Sequence, residues 1–303
     1  MEDDVGAFGG KRTGASRSDP AGRAGDEHAF GSQTRFHARD TNGTSPAACA
    51  VDHPVFQDFE RDGFAIVEQA LTPDELDAVR MAVDRTWAEL GGGTVHELAF
   101  LPHDPIFLEL IDHPTTLSIV AGLLGWNIYL YHCHLDVHPP IADAEPQWRW
   151  HQDGGRQNLE LESPRPRLSV KVAYFLTDVA DPENGCLWVI PGSHRHDKLA
   201  RPPDGSLVPP GAEPVLLPAG SGVVFDRRLW HARGDNVSKV TRKALFYAYT
   251  YRWIRPRDEL RLDPELLEAA TPTRRQLLGA GTSAIGHWIP TEEDVPLRKA
   301  RVL

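Results

Sequence analysis

Beyond Trp126 the chain changes character: short runs with period-two alternation follow one another, separated by clusters of Pro, Gly and Asp. The runs lie at 127–138, 147–152, 168–177, 186–190, 214–217, 222–226 and 243–253. Strands at this spacing point to a sandwich or barrel. The stretch before them is different. Phe64, Ile66 and Val67 suggest one short strand near the start of the ordered chain, which the pattern places near Phe56. Thr72-Pro73-Asp74-Glu75 then has the form of a capping box with proline in the first turn. Leu76, Val79, Val83, Trp87 and Leu90 follow at helical spacing, and Gly91-Gly92-Gly93 ends the helix. A second helical stretch runs from Pro114 to Leu124, stopped by Gly125, and two more cover Pro264 to Ala270 and Thr273 to Leu278. The expected architecture is mainly β with flanking helices: helices first, then a β core, then a C-terminal cover.

Residues 1 to about 50 are rich in Gly, Ala, Ser, Asp and Arg and show neither periodicity, so they read as a disordered tail. Residues 51–303 read as a single domain, with the 41% hydrophobic content needed for a core. The formal net charge of −11 disfavours a nucleic-acid partner and mildly favours a cationic substrate. Three widely spaced cysteines, Cys49, Cys133 and Cys186, fit neither a disulfide framework nor a zinc ribbon. No apolar run approaches the roughly 20 residues that span a bilayer, and the N-terminus is polar and acidic where a signal peptide is basic and then apolar. A cytoplasmic protein with no membrane partner is expected.

The chemistry concentrates in Trp148-Arg149-Trp150-His151-Gln152-Asp153-Gly154-Gly155. In extended chain, a His-x-Asp places both side chains on one face. Imidazole plus carboxylate is two-thirds of the triad that holds Fe(II) on three sites and leaves three open. His231, just after an apolar run, supplies the missing imidazole. Arg242 follows eleven positions later, and its planar fork suits a carboxylate such as the distal one of 2-oxoglutarate. A rival pair exists in His134-Leu135-Asp136. There His132, His134, Asp136 and His138 share one face of an alternating run and Tyr131, Cys133, Leu135 and Val137 the other. That polar face either lines a cavity near the cosubstrate or substrate or is solvated. Lys171 sits among apolar neighbours and either meets a carboxylate inside or reaches outward to solvent. Gln157, Asn158, His194 and Arg233 are the candidates for substrate contact, against the plainer readings of surface amides and a turn histidine. His96 and the other scattered histidines have no companion at ligand spacing.

These residues resemble the phytanoyl-CoA dioxygenase family of Fe(II)/2-oxoglutarate oxygenases, which includes ectoine hydroxylases and natural-product tailoring enzymes. The resemblance covers about 56 to 255. It rests on Asp62-Gly63-Phe64 with Leu71-Thr72-Pro73-Asp74-Glu75-Leu76, on Trp150-His151-Gln152-Asp153, on Asn184-Gly185-Cys186-Leu187-Trp188-Val189-Ile190-Pro191-Gly192-Ser193-His194, and on Trp230-His231 with Arg242. It implies a double-stranded β-helix (a cupin-like jelly roll), iron on His151, Asp153 and His231, and 2-oxoglutarate on Arg242. Lys171, His134 and Asp136 are further cosubstrate candidates. One departure stands out: family members often carry Ser two positions after the distal histidine, and this chain has Arg233. The implied reaction consumes O₂ and 2-oxoglutarate and oxidises a C–H bond of a small, polar metabolite, in keeping with a specialised-metabolite pathway. Halogenases of this kind lack the carboxylate ligand, so the presence of Asp153 favours hydroxylation. Ring closure, desaturation and epoxidation draw on the same oxidant. A cupin-like metalloenzyme or a binding protein that does not use 2-oxoglutarate is the other reading.

Overall fold

The period-two runs pair into two antiparallel sheets. In the computed structural model, described here for residues 54–300 except 144, 146, 282 and 284, a six-stranded sheet has the order β1-β7-β4-β9-β3-β2 and a three-stranded sheet the order β6-β5-β8. The strands are β1 (Phe64–Val67), β2 (Val95–Leu98), β3 (Ile128–His138), β4 (Ser169–Phe175), β5 (Leu187–Val189), β6 (Glu213–Val215), β7 (Gly222–Asp226), β8 (His231–Arg233) and β9 (Arg242–Tyr251). The described residues fall within one compact unit of the chain. The expected tail lies outside them.

Alternation along the long strands sorts the two faces of the large sheet. Cys133, Leu135 and Val137 of β3, Val170, Val172 and Tyr174 of β4, and Leu245, Tyr247 and Tyr249 of β9 belong to one core. Helix α2 (Pro73–Glu89) and helix α3 (Pro114–Leu124) cover it through Leu76, Val79, Val83, Leu117 and Val120. Three buried tyrosines tie the sheet to α3 and the segment before it. Tyr247 donates to Phe107 O (3.0 Å), Tyr249 donates to Ile111 O (2.7 Å), and Tyr174 pairs with Thr116 Oγ1 (2.6 Å). A phenol buried this deeply needs such a partner. On the opposite face, Ala173, Phe175, Val223, Phe225, Ala244 and Phe246 meet Leu187, Val189 and Val215 of the small sheet. The polar row of β3 also points into this inter-sheet space: His132, His134, Asp136 and His138 are all buried.

Helix α2 begins at the expected capping box, with Glu75 N–H donating to Thr72 Oγ1 (3.3 Å) and Thr72 N–H to Glu75 Oε2 (2.8 Å). It ends at Glu89, so Leu90 is exposed rather than part of the buried stripe. The expected C-terminal helices are Pro264–Ala269 and Pro272–Leu277. Besides short helical turns such as Ile106–Glu109 and Gln157–Glu160, a helix and two strands were not expected. Helix α1 (Pro54–Asp62) precedes β1, and the strands β2 and β8 are too short to show periodicity. One expected strand does not form. Along 147–152 only His151 makes a bridge, to His231 of β8, because no other residue of the run has a ladder partner. Among the described residues no single helix is long and apolar enough to cross a membrane. One bent pair of helical segments, Ile106–Asp112 with Pro114–Leu124, passes by length and composition, and its residues belong largely to the buried core.

Candidate metal and cosubstrate site

His151 and His231 come together through backbone pairing. Each donates its N–H to the other's carbonyl at 3.0 Å, and their rings lie 4.3 Å apart. Asp153 is anchored two residues further on, its N–H donating to Arg227 O (2.8 Å). One donor atom from each of His151, Asp153 and His231 lies within 4.8 Å of the others. The orientation of the two rings is set locally: His151 Nδ1 donates to Arg149 O (2.9 Å) and His231 Nδ1 to Leu229 O (2.8 Å). A histidine whose Nδ1–H is held by a carbonyl presents its Nε2 lone pair, the form a metal needs. Burial pushes the His231 imidazole down to about 3, so it is neutral at physiological pH. Burial raises the Asp153 carboxyl, but the Lys171 ammonium beside it outweighs burial and holds the group ionised. Lys171 Nζ sits 2.7 Å from Asp153 Oδ2, so the lysine points inward and its counterion is the carboxylate of the triad. Two imidazoles and one carboxylate with these tautomers fit a divalent iron.

The loop that carries the pair is braced from behind. Arg227, fully buried, donates through Nη2 to Asp153 O (3.2 Å) and Asn158 Oδ1 (2.7 Å). Asn158 Nδ2 returns to Asp153 O (3.1 Å). Gln152 accepts from Arg165 Nη1 (2.6 Å) and donates to His196 O (3.0 Å). Gly154 has φ +115°, and a Cβ there would stand 1.9 Å from Arg227 Nη2. The Gly154→Ala variant is therefore expected to lose about 1–3 kcal/mol from backbone strain and displacement of the guanidinium, and to weaken metal binding with it. Thermal unfolding and metal titration together check this; an unchanged variant in both would show that the loop is not held as tightly as the contacts imply.

The triad opens on a cavity of about 350 Å³, at the small end of ordinary ligand sites. His134, Asp136, Lys171, Arg233 and Arg242 line it with the triad. Gln157, Asn158 and His194 do not: Asn158 braces the loop, and buried His194 packs under Gly63. Arg242 pairs with His138 in the β3–β9 register, and its guanidinium lies over the rings of Phe175 (5.2 Å) and Phe246 (6.0 Å). Its Nε and Nη1 are buried without a hydrogen-bond partner; Asp136 Oδ2 is 3.8 Å from Nη1, too far for one. Burial pushes this guanidinium down to about 10, still protonated. A buried cation with free donors fits a carboxylate ligand such as the distal end of 2-oxoglutarate. Arg233 Nη1 donates to His138 Nε2 at 2.8 Å.

The rival pair has a third member that the sequence did not reveal. His96 of β2 faces Asp136 in the β2–β3 register, and its Nδ1 is 2.6 Å from Asp136 Oδ1. His96, His134 and Asp136 thus form a second group of potential ligands, which corrects the reading of His96 as solitary. An unexpected relay supports His134. Asp258 accepts from His132 Nδ1 (2.7 Å), and His132 Nε2 accepts from His134 Nδ1 (3.0 Å). The His134 ring stacks on Phe246 with centroids 4.3 Å apart. Arg149 and Arg257 also line the cavity. Nothing in their spacing marks them, because only the folded connections bring them to the mouth.

Burial holds His132, His134, His138, His194 and His231 below the ordinary value of 6.5. These groups are depressed on folding, so below 6.5 the unfolded chain binds more protons than the folded one and is favoured. Metal-free protein should accordingly lose stability as pH falls from about 6.5 towards about 3, the value to which His231 is held. Urea midpoints across that range check it, and a flat profile would contradict the neutral, buried state of these rings.

Comparison with known proteins agrees with this geometry. Residues 59–244 match the phytanoyl-CoA dioxygenase (PhyH) family. The ectoine dioxygenase of Stutzerimonas stutzeri is 25% identical over 64% of this chain and 74% of its own length. The fold is shared with HygX from Streptomyces hygroscopicus, solved with nickel and 2-oxoglutarate (17% identity, TM-score 0.56, 70% of this chain and 92% of that one). It is shared too with SnoN, a non-heme α-ketoglutarate-dependent epimerase from nogalamycin biosynthesis (21% identity, TM-score 0.53, 70% and 87%). The sheets, the helices and these matches together establish that the chain belongs to the phytanoyl-CoA dioxygenase family of Fe(II)/2-oxoglutarate-dependent oxygenases.

Proposed function

We propose that this protein hydroxylates a C–H bond of a small molecule in a specialised-metabolite pathway, with iron on His151, Asp153 and His231 and the distal carboxylate of 2-oxoglutarate on Arg242. The observation that carries the reading is the combination, in one cavity, of two histidines with Nδ1 tied to backbone carbonyls and a buried guanidinium with unused donors. The related ectoine dioxygenase and the enzyme of nogalamycin biosynthesis support a small-molecule substrate. Bound Fe(II), with 2-oxoglutarate and O₂, supplies an oxidant able to take a hydrogen atom from carbon. The protein's own part is placement. Lys171 occupies one oxygen of Asp153 and leaves the other for the metal. Arg242 orients the cosubstrate, and Phe225 and Phe246 contribute apolar wall to the cavity.

The first triad is preferred over His96, His134 and Asp136 for two reasons. His96 Nδ1 already contacts Asp136, and His151 and His231, unlike His96, have Nδ1 tied to backbone carbonyls, which leaves Nε2 for the metal. The test is succinate release from Fe(II), 2-oxoglutarate and O₂ in the presence of a pool of small molecules. Wild type should form succinate, His151→Ala should lose both iron and turnover, and His134→Ala should keep its iron. Iron that survives His151→Ala and is lost in His134→Ala would move the metal to the other triad.

A further inference from the structure

The chain as a whole is acidic, with a formal net charge of −11, yet the 350 Å³ cavity has the opposite sign. Arg149, Lys171, Arg233, Arg242 and Arg257 line it against two carboxylates, Asp136 and Asp153. Most of these charges have partners. Lys171 is matched by Asp153 (2.7 Å). Arg242 has Asp136 nearby (3.8 Å). Arg149 forms an ion pair with Asp235, which is not part of the lining. On the proposed function, a divalent metal and doubly charged 2-oxoglutarate cancel one another. Two guanidiniums are left over, Arg233 and Arg257. Arg233 donates to His138, which burial holds neutral and which therefore offers no countercharge. Arg257 is fixed by its backbone, its N–H donating to Tyr131 O (2.9 Å); its side chain forms no ion pair among the described residues, and the neighbouring Asp258 carboxylate, which it helps hold ionised, is taken up by His132 Nδ1 and the Cys133 N–H. If the cosubstrate takes Arg233 in place of Arg242, the surplus is the same.

We infer that the substrate is an anion, drawn by the charge of Arg233 and Arg257, two exposed guanidiniums of the cavity lining, while the bond to be oxidised lies at the metal. This rests on the proposed function and narrows its substrate class. It also reverses the leaning of the overall charge towards a cationic substrate: in salt, charges beyond a Debye length of roughly 8 Å are screened, so the nearest side chains decide. The position of Arg257 adds a direction. Together with His132, Arg257 also lines an adjoining cavity of about 1020 Å³, where Arg252 and Arg255 stand with Asp258 and Glu259. A substrate too large for the inner cavity would extend past Arg257 into this larger space.

The experiment uses full-length protein loaded with Ni(II), which does not turn over, and saturated with 2-oxoglutarate. Binding of both is verified first by calorimetry. Sulfate is then titrated at constant ionic strength into wild type, Arg257→Gln and the double variant Arg233→Gln/Arg257→Gln. One saturable sulfate site is expected in wild type. It should be about tenfold weaker in the single variant and absent in the double, since each charge-assisted contact is worth roughly a factor of ten or more. In parallel, compounds offered as carboxylates and as their neutral amides should stimulate succinate release from the iron enzyme only as carboxylates. Saturable sulfate binding that ignores both substitutions, no sulfate binding in protein that holds Ni(II) and 2-oxoglutarate, or stimulation by the amides would each overturn the inference. Failure to bind Ni(II) or 2-oxoglutarate would instead overturn the proposed function, and with it the charge balance used here.

Discussion

Replacing Asp153 by alanine is expected to abolish iron binding and turnover and to unfold the protein at lower denaturant. The two effects have separate causes. Asp153 is the only carboxylate of the triad, so its loss leaves two imidazoles and no anionic ligand, which hold a divalent ion poorly at an otherwise basic site. It is also the counterion of Lys171, and both side chains are about nine-tenths buried. Removing one member of such a pair costs about 3–5 kcal/mol, because a buried charge is left alone. The double variant Asp153→Ala/Lys171→Met should therefore recover most of the stability and none of the iron. Urea unfolding of metal-free protein and Fe(II) titration read the two effects independently. Wild-type iron affinity in the single variant would remove Asp153 from the metal site. A double variant no more stable than the single would show that the ion pair is not what the alanine disturbs.

Arg242→Met should raise the dissociation constant of 2-oxoglutarate by about two orders of magnitude or more, as expected for loss of about 2–5 kcal/mol from one side of a buried charge pair. Iron affinity should change little, since Arg242 is not a member of the triad. The conservative change Arg242→Lys should not rescue binding, because an ammonium cannot offer the planar fork that a carboxylate uses and would sit less well between Phe175 and Phe246. Calorimetric titration of 2-oxoglutarate into Ni(II)-loaded variants measures this directly. Unchanged affinity in Arg242→Met, with loss of affinity on substituting Arg233, would transfer the cosubstrate contact to the arginine that stands where relatives often carry serine.

The local features of this chain were legible without a structure because they depend on neighbours in sequence. The capping box at Thr72–Glu75, the buried stripe of α2 and the alternation of β3, β4, β7 and β9 follow from helical and strand periods acting within one segment. The same alternation placed His134 and Asp136 on one face and Arg242 near the start of a strand. Short elements escaped for the converse reason. Two strands of four and three residues, β2 and β8, carry too few positions for a period to show, and each exists only because a longer strand or a distant segment pairs with it. The run 147–152 has a strand's pattern and lacks a strand's partners.

What the sequence by itself determined, then, is the inventory: a β core behind a capped helix, a His-x-Asp, a later histidine, and an arginine whose planar fork can match a carboxylate. Tertiary structure alone decided how they are used. It turned Lys171 inward onto Asp153, set Arg227 and Asn158 behind the metal loop, and brought His96 to Asp136. It also gathered Arg149, Arg233 and Arg257 around one cavity in an acidic protein. The physical reason is range. Periodicity and capping act over a few residues of backbone, whereas burial, countercharge and hydrogen-bond partners depend on which distant strands lie side by side, and that is settled only when both sheets have formed.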